Sequence, residues 1–221
     1  MRGVLQSAFG YTGQKCSACS RVIIVNTAYE VFVKRLLEAC RSISTSPSHV
    51  PGCQLGPVID KTAYQRLRQL IANPPPEAKL LYTAEASSEG YFIAPTVFEV
   101  YDFSHMLMQK ELFGPILTLV KTDTFDKAIE GANSTAYALT GAIYSRLPSH
   151  LKAAKQRFRV GNLYINRGST GDLVDRQPFG GFQRSGLGTK AGGPSYLLHF
   201  SDPRCITENT MRRGFTPEFQ G

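Results

Sequence analysis

What most constrains the fold is an alternation along the chain. From Arg21 onward, short β-branched runs take turns with segments whose apolar residues recur at helical spacing. The run "RVIIVN" is followed by Tyr29, Phe32, Val33, Leu36, Leu37 and Cys40, one stripe of an amphipathic helix. Thr27 and Glu30 have capping-box spacing at its start. Asp60 can cap a second helix, in which Ala63, Leu67, Leu70 and Ile71 share a face. The stretch "NPPP" ends that helix, because proline has no amide donor and clashes with the preceding turn. Beyond it, "KLLYT", "YFIAPTVFEV", "PILTLV", "TGAIYS" and "NLYIN" read as strands, with helices predicted over 124–132 and 149–158. Parallel strands need crossover connections, so this pattern predicts an α/β fold with a largely parallel sheet flanked by helices.

The pattern stops at Gly168. The next stretch holds Gly168, Gly171, Gly180, Gly181, Gly186, Gly188, Gly192 and Gly193, too many for regular structure. It also holds Phe179, Phe182, Tyr196 and Phe200, which a flexible linker would lack. A long loop with these aromatics is expected to carry function.

Composition excludes several classes. With 42% hydrophobic and 19% charged residues in 221, the chain is ordinary globular material. No run of about 18 apolar residues occurs, and the first residues lack the pattern of a secretory signal, so no membrane partner is expected. Five cysteines at irregular spacing fit reduced thiols and a cytoplasmic setting. The net charge of +8 is scattered. Its densest set, Lys152, Lys155, Arg157 and Arg159, has no stacking platform, so we expect a solvated face and no nucleic-acid partner. Such an excess can still raise the local concentration of a small anion.

The stretch "FGYTGQKCSACSR" admits three readings. Cys16 and Cys19 have metal-knuckle spacing, yet no second Cys/His pair follows, so a metal site is not expected. A redox pair would sit between a strand and a helix, whereas here the next segment is itself strand-like. Packing suits Cys19. Cys16 lies three residues after Gly13 and before the small Ser17 and Ala18, an open turn where backbone donors would favour a thiolate and hold an adjacent oxyanion.

That stretch resembles the catalytic-cysteine motif of the aldehyde dehydrogenase superfamily, and "KELFGPIL" (110–117) resembles its second signature. "GNLYINRGSTG", "RQPFGGFQRSGLGTKAGGPSYLLHF" and "ITENTMRRGF" resemble its Δ1-pyrroline-5-carboxylate dehydrogenase branch, which oxidises glutamate γ-semialdehyde in proline catabolism. The similarity covers essentially the whole chain. It implies an aldehyde-dehydrogenase catalytic domain with Cys16 as nucleophile, NAD as cofactor, Glu111 at the nicotinamide ribose and Phe113 beside the nicotinamide. It further implies that Ser17, Gly192 and Gly193 hold the substrate's amino-acid end, with Phe200 against its aliphatic part. Without the resemblance, Glu111 reads as a surface carboxylate and Phe113 as core. Arg21 reads as structural, and Lys15 as a mild positive field.

The departures shape the expectation. The family places its NAD domain, a general-base glutamate and an oxyanion-hole asparagine before the cysteine, and only fifteen residues precede Cys16 here. We therefore expect residues 1–200 to form the catalytic part, residues 201–221 to be a tail suited to oligomer contacts, and the NAD domain to be missing. Alone, such a chain should show negligible turnover and an exposed apolar patch that needs a second copy or an N-terminal half. Asp175 stands where relatives carry a small or neutral residue. Two other functions fit less well. One is a non-catalytic assembly module in which Cys16 is a relic, and the other is acyl transfer to coenzyme A, which the Gly192–Gly193 pair disfavours.

Overall fold

The computed structural model describes residues 1–187 and 189–210. At its centre lies a sheet of β1 (Arg21–Val25), β2 (Lys79–Thr83), β3 (Thr96–Val100) and β4 (Ile116–Thr122) in the order β1-β4-β3-β2. β1 and β3 run parallel to β4, and β2 closes the edge antiparallel to β3. The largely parallel α/β fold is thus present, with one antiparallel edge strand. Two small pairs accompany it. β5 (Tyr137–Ala138) is antiparallel to β8 (Phe182–Gln183), and β6 (Thr140–Ile143) is parallel to β7 (Asn162–Ile165).

Both faces of the central sheet are covered. Val97, Leu117 and Leu119 point to the side of α1 (Arg2–Phe9) and α2 (Asn26–Cys40), where they meet Phe9, Leu36 and Cys40. Phe98, Val100, Ile116 and Val120 point the other way, toward Leu67 of α3 (Lys61–Ala72) and Leu107 of α4 (Met106–Gln109). This period-two division is what a sheet buried on both faces requires. The predicted stripe of α2 faces the core, with Phe32, Val33 and Leu37 completing the contact. Asp60 caps α3 by accepting from the Ala63 N–H at 2.7 Å, and the helix stops at Ala72 before the prolines. α5 (Phe125–Asn133) and α6 (Pro148–Arg157) occupy the two later helical segments.

Two local expectations fail. The Thr27/Glu30 capping box does not form, because β1 runs straight into α2 with Val25 as its uncapped boundary residue. Thr27 is therefore already inside the first turn, and Glu30 pairs with Lys121 at 3.8 Å. The strand read over 91–100 begins only at Thr96. Pro95 cannot donate to a ladder, and buried Phe92, Ile93 and Ala94 pack as irregular chain. The glycine-rich stretch is a loop, broken only by β8 and a short 3₁₀ turn at Tyr196–Phe200. Residues 201–210 are exposed and have no regular structure. Gly188 and residues 211–221, including the end of "ITENTMRRGF", lie outside the described residues.

Candidate functional site

The cysteine turn is built on strained backbone. After α1, the 3₁₀ turn Gly10–Gly13 places Tyr11, Thr12 and Gly13 at φ 59°, 57° and 68°. Left-handed backbone costs a β-branched residue roughly 1–2 kcal/mol, so something must hold Thr12 there. Its hydroxyl donates to the Gly56 carbonyl at 3.2 Å, and Gln14 Oε1 accepts from the Ile59 N–H at 3.0 Å. The chain then turns at Cys16, closed by the Ala18 N–H to the Lys15 carbonyl at 3.0 Å. Cys16 is exposed there, and Lys15 Nζ lies 4.8 Å over the Tyr11 ring. The Cys19 N–H returns to the Ser7 carbonyl at 2.9 Å, and its side chain packs against the core. Burial pushes the Cys19 thiol up to about 11.

A second strained turn meets the first. Between α4 and β4, Phe113 adopts φ 53°, and the turn around it is held by Arg66 of α3, which donates to the Leu112 carbonyl at 2.6 Å. A Cβ on Gly13 would lie 2.1 Å from the Gly114 carbonyl oxygen. A Cβ on Gly114 would lie 2.5 Å from Leu67 Cδ1. Only glycine at both positions lets the two turns press together over Leu67. Between them lies a cleft of about 340 Å³ lined by Cys16, Lys15, Glu111 and Phe113, with Arg184 and Ser185 opposite. Glu111 is exposed, and 42% of the Phe113 surface is open, so Phe113 is not a core residue. Behind the cleft, the Arg21 guanidinium donates to the carbonyls of Ala132 at 2.7 Å and of Met108 and Gly131 at 3.5 Å. It ties α4 and the end of α5 to β1, and burial lowers its pKa.

The remaining predicted site residues lie outside this cleft. Ser17 is buried, and its carbonyl accepts from the hydroxyls of Ser169 at 3.2 Å and Thr140 at 3.5 Å. The Ser169 bond fastens the start of the glycine-rich loop to the cysteine turn, and the Thr140 bond fastens the start of β6 to it. Gly192, at φ 67°, packs against Val174, and its carbonyl accepts from the Asp175 N–H at 3.3 Å. Among the described residues, no hydrogen bond is made by the amides of Gly192 and Gly193, which leaves two donors free for an anion. Phe200 is exposed and sits edge-on to Tyr196 at 5.6 Å. Asp175 is exposed.

The aldehyde dehydrogenase family profile matches residues 1–206. The chain belongs to that family. Its members include two curated relatives named 1-pyrroline-5-carboxylate dehydrogenase. The one from Geobacillus sp. (strain WCH70) is 43% identical over 208 residues, 94% of this chain and 40% of its own length. The one from Bacillus subtilis (strain 168) is 43% identical over 206 residues, 93% of this chain and 40% of its own length. The chain therefore spans about 40% of the length of these relatives. Among solved structures, proline utilization A from Bdellovibrio bacteriovorus superposes with a TM-score of 0.91 at 48% identity, covering 98% of this chain and 22% of that one. A 1-pyrroline-5-carboxylate dehydrogenase from Thermus with bound NAD gives 0.86 at 42% identity, covering 90% and 39%.

Sequence reasoning missed several residues that shape this family member's site. Arg184 and Ser185 line the cleft from within a loop in which only Gly192, Gly193 and Phe200 were expected at the site. Asn162 organises that loop. Its amide donates to the Pro178 carbonyl at 3.0 Å and to Asp172 at 3.4 Å, while its oxygen accepts from the Gly180 N–H at 3.4 Å. Lys190 donates to the Gly161 carbonyl beside it. Burial raises the Asp172 carboxyl's pKa. An asparagine at the start of a strand carries no periodic signal of such bonds.

Proposed function

We propose that this chain is the thiol-bearing part of an NAD-dependent enzyme that oxidises glutamate γ-semialdehyde to glutamate in proline catabolism. One observation carries the reading: Cys16, Glu111 and Phe113, far apart in sequence, line one cleft in a chain of this family. Cys16 is the nucleophile. Its sulfur bonds to the aldehyde carbon, and the carbonyl oxygen takes the negative charge among the amides of the turn. NAD supplies the hydride acceptor when bound. With the cofactor in place to accept hydride, Cys16 would carry the acyl group as a thioester, which water would hydrolyse to release the carboxylate and return the thiol.

The residues fit the nicotinamide end of the cofactor. An exposed carboxylate at Glu111 accepts hydrogen bonds only, which suits ribose hydroxyls, and the open face of Phe113 suits a flat ring. Ser17, Gly192, Gly193 and Phe200 are assigned to the amino-acid end of the substrate, supported by the two free glycine amides. Residues 1–200 act as the catalytic part. The exposed Val174, Leu187, Leu197, Leu198 and Ile206 support a contact through the distal loop and tail, with a second copy or the rest of the enzyme; the free cysteines support a cytoplasmic setting.

The test is a chimaera that joins this chain to the preceding part of the Thermus enzyme. Given NAD and pyrroline-5-carboxylate, it should form NADH, and Cys16→Ser should lower the rate about 10³-fold or more. An equally active Cys16→Ser chimaera would overturn the assignment. The chain alone should form no NADH.

A further inference from the structure

The cleft beside Cys16 carries an unbalanced charge that the chemistry above does not use. Its lining holds four cationic side chains, Lys15, Arg21, Lys110 and Arg184, against one carboxylate, Glu111. Among the described residues none of these five enters an ion pair, although such pairs form elsewhere, at Lys79–Glu99 and Arg157–Asp126. The excess is left for whatever enters.

Each cation is held in place by something other than a counter-charge. Lys15 is half-buried and lies over the Tyr11 ring. The Arg21 guanidinium gives its hydrogen bonds to the neutral carbonyls of Ala132, Met108 and Gly131, so the cleft floor keeps a full positive charge, one that salt screens poorly because it is largely out of water. Arg184 follows β8 directly, and its backbone is fixed there. Its N–H donates to the Ala136 carbonyl at 3.2 Å, and the neighbouring Ser185 hydroxyl accepts from the Ala138 N–H at 3.0 Å. Its side chain is exposed, and among the described residues its guanidinium makes no hydrogen bond. A planar fork of donors without an acceptor, mounted on a fixed backbone opposite a thiol, suits a carboxylate.

We propose that Arg184 determines specificity: together with Lys15, Lys110 and the Arg21 charge behind them, it draws electrophiles that carry a carboxylate to Cys16 in preference to neutral ones. A cleft lined by one sign of charge focuses the field between low-dielectric walls and raises the local concentration of the opposite ion. This selection acts on approach, whereas the amides of Gly192 and Gly193 are assigned to the far end of the bound substrate. The proposal rests on Cys16 as the nucleophile for its substrate class. Its test reads charge selection alone, so either reading can fail without the other.

Two alkylating reagents test it on the full 221-residue chain. Iodoacetate and iodoacetamide react alike, the thiolate sulfur displacing iodide to form a sulfur–carbon bond, but only the first carries a carboxylate. An equimolar mixture is applied at pH 7.5, and the two products are counted at Cys16 and at the exposed Cys205 by peptide mass spectrometry. The product ratio cancels differences in how much of each thiol is ionised. At about 10 mM ionic strength the iodoacetate share should be at least about fivefold higher at Cys16 than at Cys205. Arg184→Gln should lower that preference at least about threefold, and Arg184→Lys should retain more of it than Arg184→Gln does. In about 1 M KCl, where the screening length is about 3 Å, the preference should shrink toward that of Cys205. A smaller preference at low salt, or one that survives Arg184→Gln, would overturn the proposal.

Discussion

One wall of the cleft, formed by the turns at 10–20 and 110–116, has backbone pressed directly on backbone at Gly13 and Gly114, with side-chain bonds from Thr12 and Arg66 at its flanks. Gly13 lies on Gly114, Gly114 lies on Leu67, and Arg66 and Gly56 hold the flanks. The opposite wall and the loop beyond it, residues 168–200, are held by side chains reaching to backbone, chiefly from Asn162, Ser169 and Lys190. The difference teaches a division of labour. Groups assigned to bond making and cofactor contact stand on strained, over-determined turns, where a small displacement would be costly. Of the groups assigned to recognition, Ser17 shares the cysteine turn, whereas Gly192, Gly193 and Phe200 stand on a loop whose outer aliphatic side chains lie in solvent.

This contrast can be broken or sharpened by mutation. The largest effect is expected at Gly13→Ala. Left-handed backbone and overlap with Gly114 together should cost about 2–5 kcal/mol, read as a lower urea midpoint. An unchanged midpoint would mean that the turns do not press together. Leu67→Ala, a fully buried side chain beneath the same contact, should cost about 3 kcal/mol. On the other wall, Asn162→Ala should cost only about 1 kcal/mol of global stability. It should nonetheless speed proteolytic nicking within 168–200 about fivefold, the local counterpart of the same energy. Smallest of all, Leu198→Ser at an exposed site should stay within about 0.5 kcal/mol of the parent.

How far the sequence revealed this molecule depended on the range of each interaction. The α2 and α3 stripes and the Asp60 cap were legible because helices repeat locally. The extent of β3 was misjudged because packing, not pattern, determines that Phe92 to Ala94 are buried without pairing. Cys16 could be singled out by its small neighbours, whereas Glu111 and Phe113 were visible only through family resemblance. The Gly13–Gly114 contact and the bonds of Asn162 join residues remote in sequence. None of these leaves a local trace.

The thiols provide a pH test of the same architecture. Burial pushes both Cys19 and Cys40 up to about 11, from an ordinary value of 9.0. Above pH 9 the unfolded chain releases these protons while the folded chain keeps them. Stability should therefore be complete below about pH 9 and fall as pH rises toward 11, seen as a declining urea midpoint.

The most direct test of the central claim, that the turn holds Cys16 open while Cys19 packs inside, is site-resolved alkylation by iodoacetamide at pH 7.5, followed by peptide mass spectrometry. Cys16 should be modified well before Cys19 and Cys40. Labelling of Cys19 or Cys40 as fast as Cys16 in the folded chain would contradict the account.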